Sequence, residues 1–93
     1  MNIPPVVNID EALRVYFAYP ELGNKEITAL FGKRSSATVA RLKRAVKDEM
    51  SSKGVLSYGS NTVNTEIAFD VWGIDVKDLE KRMKKIKELG LGA

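Results

Sequence analysis

Residues 24–44 read NKEITALFGKRSSATVARLKR, and two short apolar patterns parted by one glycine decide the fold. Ile27, Leu30 and Phe31 recur at three- and four-residue spacing, the period of a helix with a single buried stripe. Gly32 follows at once, and a glycine able to take positive φ is a common way to end such a helix. After Lys33 and Arg34, Ser35 or Ser36 offers an N-cap oxygen. Val39, Leu42, Val46 and Met50 then form the core face of a longer helix that ends near Met50. The pattern predicts a short helix capped by Asn24, a glycine turn, and a longer helix crossing the first. Ala29 is the small residue expected where the two helices meet.

Charge gives this unit its chemistry. The chain holds 15 Lys and Arg against 12 Asp and Glu, yet no acid occurs from Ile27 to Lys47. Six basic residues fall in that span: Lys33, Arg34, Arg41, Lys43, Arg44 and Lys47. A merely solvated helix face usually mixes both signs, which favours solubility and i,i+4 pairing. At ~100° per residue, the side opposite the core stripe displays Ala37, Ala40, Arg41 and Arg44, flanked by Thr38 and Lys47. Long basic side chains reach phosphates and guanine edges, while alanines let a helix backbone come close to bases. An alanine or threonine methyl can also pack on a thymine methyl. A helix N-terminus adds N–H groups that favour a nearby phosphate. Ala37, Thr38, Ala40, Arg41 and Arg44 are therefore the candidate base contacts. Lys33, Arg34, Ser35, Ser36, Lys43 and Lys47 are the candidate phosphate contacts. Platforms for single strands place aromatics within a basic groove, and this helix contains none, so duplex is favoured.

The same stretch resembles the helix-turn-helix of small DNA-binding proteins, and the whole chain resembles short proteins of phages and mobile elements of Gram-positive bacteria. Ile27, Phe31 and Gly32 fit that pattern. Val39 and Leu42 come one residue late, and Thr28 stands at the usual alanine place with Ala29 beside it. The resemblance implies double-stranded DNA as ligand.

Outward from this unit the chain reads as helical throughout. IPPVV is a stiff lead-in. Asn8 and Glu11 then form a capping box for a helix with Ile9, Ala12, Leu13, Tyr16 and Phe17 on its buried stripe. Pro20 stops it. Residues 51–61, SSKGVLSYGSN, carry two glycines and four serines and form a polar break, either a plain loop or a short wing. A fourth helix runs from about Thr62 to Trp72, burying Val63, Ile67, Val71 and Trp72, and Gly73 breaks it. Asp75 and Asp78 cap a fifth, with Val76, Leu79, Met83 and Ile86 on one stripe, and residues 90–93 fray. Nothing alternates with period two for long enough to suggest a sheet. The expected class is all-α, with about five short helices in one compact domain. Residues 1–51 are the DNA-binding region, 52–61 the break, and 62–93 a C-terminal helical pair.

Ninety-three residues suffice for one modest core. Absence of cysteine and histidine removes disulfides, thiolate chemistry, Cys/His zinc sites and a histidine base. Asp48–Glu49 and Asp75–Asp78 read as surface or capping charges, so no enzyme, metal or cofactor is expected. No secretion signal and no membrane-spanning run is legible, and a cytoplasmic protein is expected. The stripe from Val76 to Ile86 suits packing on the chain's own core. It also suits a seam between protomers, giving a homodimer or higher oligomer. Trp72 belongs to the core by position, whereas Tyr58, in the break, is left open between burial and exposure. Sequence-specific binding of duplex DNA by a regulator of a phage or mobile element is the leading expectation. The DNA-recognition subunit of a phage packaging terminase is the second. A helical protein–protein adaptor with a basic docking face is the third.

Overall fold

A computed structural model describes residues 3–90 of the chain. The elements run α1 (Ile9–Ala18), β1 (Glu21–Leu22), α2 (Asn24–Phe31), α3 (Ser36–Ser52), β2 (Val63–Asn64), α4 (Thr65–Val71) and α5 (Val76–Glu88). Five helices bear out the all-α expectation. The fray expected at residues 90–93 lies, beyond Gly90, outside the described residues.

Local chemistry explains most boundaries. Asn8 caps α1, accepting from the Glu11 N–H at 3.0 Å. Ser35 caps α3, accepting from the Thr38 N–H at 3.2 Å. Asp75 caps α5, accepting from the N–H groups of Lys77 and Asp78. Each side-chain oxygen satisfies a first-turn donor that has no partner within its helix. Gly32 closes α2 at φ 78°, ψ −179°, a region open essentially to glycine alone. The chain is thereby turned sharply between α2 and α3.

Three details depart from the expectation. Asn24 is not a cap but the first residue of α2, behind Gly23, whose N–H donates to the Glu26 carboxylate at 2.8 Å. Phe17 is not buried: it is 67% exposed, and Val15 takes its place beside Ala12 in the core. The fourth helix starts at Thr65 rather than Thr62, because Val63 and Asn64 pair antiparallel with Leu22 and Glu21. This small sheet was not expected. Two residues per strand are too few to show alternation, and the pairing joins distant parts of the chain. Within α4, Ala68 and Phe69 are buried, while Ile67 and Val71 are only half-buried.

One core serves the whole chain. It joins Ala12 and Val15 of α1, Ile27, Leu30 and Phe31 of α2, and Leu42, Val46 and Met50 of α3 to Phe69, Trp72 and Leu79. The Trp72 indole meets Phe31 edge-on at 5.3 Å and donates its N–H to the Leu42 carbonyl at 3.1 Å. The buried face of α3 is thus held between α2 and the end of α4. Helix α5 packs against α1 through buried Leu79, with Val76 against the core and Met83 and Ile86 half-buried. Among the described residues no helix is long and apolar enough to cross a membrane.

Candidate nucleic-acid interface

With Leu42, Val46 and Met50 fixed inward, helical geometry decides what α3 shows outward. Ala37, Ala40, Arg41, Arg44 and Lys47 are all exposed, as are Lys33, Arg34, Ser35 and Ser36 just before or at the start of the helix. The sequence-derived face is therefore brought together on one side. None of the three ion pairs among the described residues involves Lys33, Arg34, Arg41, Lys43, Arg44 or Lys47.

Several candidates have structural duties as well. Thr38 is half-buried, and its hydroxyl is hydrogen-bonded to the Ser35 hydroxyl at 3.0 Å. It steadies the first turn of α3. Arg34 donates from Nε to the Phe31 carbonyl at 3.1 Å, satisfying an acceptor at the end of α2. Its remaining guanidinium N–H groups stay available as donors. Lys43 is half-buried and donates from Nζ to Asn24 Oδ1 at 2.8 Å, tying α3 to the start of α2. Burial pushes the Lys43 ammonium below the usual lysine range, and repulsion from Lys47 adds to the effect. Lys43 thus belongs to the seam between the two helices rather than to the middle of the exposed face.

The break at 52–61 has a form the sequence did not disclose. The Glu21 carboxylate accepts from the Tyr58 N–H at 2.7 Å, the Gly59 N–H at 3.2 Å and the Thr62 hydroxyl. These hydrogen bonds hold its pKa below the ordinary carboxylate value, the Thr62 hydroxyl foremost. The Ser57 hydroxyl closes the turn by donating to the Thr62 carbonyl at 2.8 Å. A side chain at position 59 would meet the Thr62 hydroxyl at 2.6 Å, so the close approach requires glycine there. What read as a loose polar segment is a tied turn with Tyr58 99% exposed on it. Glu21 was missed because it lies far from the turn along the chain, next to a proline that suggested only a loop.

No family model, curated protein or solved structure matches this chain.

Proposed function

We propose that this chain binds double-stranded DNA in a sequence-specific manner, with α3 in the major groove and α2 lying across it. One observation supports this above the others. Ala37, Ala40, Arg41 and Arg44 are exposed together on a helix whose basic residues enter no ion pair among the described residues. Two alanines allow the helix backbone to approach base edges, and two arginines beside them have the reach and fork geometry for guanine. Lys33 and Lys47, toward the two ends of the face, suit the sugar–phosphate backbone, which fixes register without reading sequence. The buried side of the helix is pinned by the Trp72 indole, so the exposed side is presented rigidly. The resemblance implies duplex DNA as ligand, and we propose regulation of a phage or mobile element as the role that binding serves.

The test is duplex binding measured across a salt series. Each phosphate neutralised contributes about −0.9 to the slope of log affinity against log salt, so a slope of roughly −3 to −5 is expected. An affinity indifferent to salt would remove duplex DNA as the ligand.

A further inference from the structure

Beside the C-terminal half of α3 lies a groove of about 220 Å³, bounded by Lys47 and Ser51 of the helix and by Val55, Leu56, Ser57 and Ser60 of the turn. We propose that this groove seats one sugar–phosphate strand of the duplex, with the Tyr58 ring packed against it as a second contact apart from α3. The proposal rests on the reading of α3 as the helix that enters the major groove.

The lining has the chemistry of a backbone seat. Lys47 and the hydroxyls of Ser51 and Ser60 offer a cation and neutral donors to phosphate oxygens, while Val55 and Leu56 offer apolar surface to deoxyribose. No acidic side chain among the described residues lines it. Asp48 is the nearest acid to Lys47 in sequence, but it points ~100° away around the helix and does not border the groove. Lys47 also ends the acid-free span that supplies the exposed face of α3. Lys47 is thus shared by that face and the groove.

The exposed apolar side chains point the same way. Leu56 is 87% exposed and Tyr58 99%, so both side chains stand free to meet a partner. Their turn is not slack. Three donors from Tyr58, Gly59 and Thr62 converge on Glu21, and Ser57 closes the turn on Thr62. A surface held in its bound form loses little entropy on association. Glu21 is in this sense a positioning residue: its carboxylate is occupied by the turn's own donors.

That role yields a test in which electrostatics and positioning act in opposite directions. Binding is measured at fixed salt to a 24-base-pair duplex carrying a site that the parent chain selects from random sequences, so that the protein sits in one register. Hydroxyl-radical cleavage of the same duplex reports which sugars are covered. Tyr58→Ala should weaken binding roughly five- to tenfold and leave the melting temperature unchanged, because the side chain touches solvent alone. It should also expose one cluster of sugars that the parent protects. Glu21→Gln removes a negative charge from the neighbourhood of DNA, which by charge alone would tighten binding. Loss of the turn's anchor should instead weaken it. A Tyr58→Ala protein that binds and protects like the parent, or a Glu21→Gln protein that binds more tightly, overturns the inference. If Arg44→Ala loses affinity in the same assay, the reading of α3 survives that result. A parent chain that binds no duplex at all overturns both.

Discussion

The indole N–H of Trp72 donates to the main-chain carbonyl of Leu42, so a side chain at the end of α4 is fastened to the middle of α3. A helical carbonyl can accept a second donor from outside its own ladder, and here it does so in the dry interior between Phe31 and the α3 stripe. The bond fixes the rotation of α3 about its axis as well as its distance from the core.

Substitution at either end of this contact should therefore be felt in thermal melting. Leu42→Ala deletes a buried side chain at the junction of the motif helices and should cost about 2–5 kcal/mol. Trp72→Phe keeps an aromatic ring but removes the donor, with an expected cost of about 1–3 kcal/mol. An unchanged melting temperature in both would mean that the inward phase of α3 differs from that described.

On the exposed side the same rotation makes different residues answer to different measurements. Arg41→Ala or Arg44→Ala should relax preference at one or two base positions, at a cost of about 1–3 kcal/mol for the preferred site. Lys33→Ala should weaken all sequences alike and make the salt slope shallower by about one unit. Ala40→Glu places bulk and negative charge where the helix must approach the bases. That variant should melt like the parent and lose its site. Selection from random duplexes, scored at fixed salt, reads all of these outcomes. An Ala40→Glu protein with parental affinity would take α3 out of the groove.

Acid should loosen the Tyr58 turn before it unfolds the helices. The Glu21 carboxylate titrates below its ordinary value of about 4.3, so its contribution is complete above that value and is lost as pH falls through the lowered one. As pH falls through that lowered value, the Tyr58 and Gly59 amides should lose protection from hydrogen exchange, with their resonances moving on the titration curve of one carboxyl group. Glu21→Gln should abolish that titration. Amide signals that stay fixed through the same range would show that the carboxylate does not hold the turn.

The parts of this fold that obey short-range rules were legible in the sequence. Ser35 and Asp75 announced their helices because a cap is a contact over two or three residues. Ile27, Leu30, Phe31, Leu42, Val46 and Met50 announced their burial because a helix repeats every 3.6 residues. The exposed face of α3 followed from the same arithmetic run backwards. What stayed hidden depends on partners far away in the chain. Phe17 and Val15 are both apolar and both lie near the edge of the α1 stripe, and the packing of α2 and α5 decides which is covered. Lys43 looks like any other basic residue of α3 until α2 brings Asn24 to it. Glu21 looks like a loop acid until the turn after α3 folds back onto it.

The pairing of Glu21 with Asn64 and Leu22 with Val63 has a consequence for how the chain comes apart. Everything between those partners, including all of α2 and α3, is a loop whose two ends are stitched together at its base. Closing a loop of that length costs roughly 3 kcal/mol of chain entropy, more than a two-residue ladder returns unaided. The ladder therefore persists only while Leu22 and Val63 remain sealed in the common core, and the core remains closed only while the ladder holds its rim. Neither the helices before the turn nor those after it can melt alone. Unfolding should be all-or-none, with calorimetric and van't Hoff enthalpies in agreement, and a second transition would show that the two halves part company. Helix α3 is in that sense indivisible from the C-terminal helices: cooperativity, rather than any linker, sets the boundary of the unit.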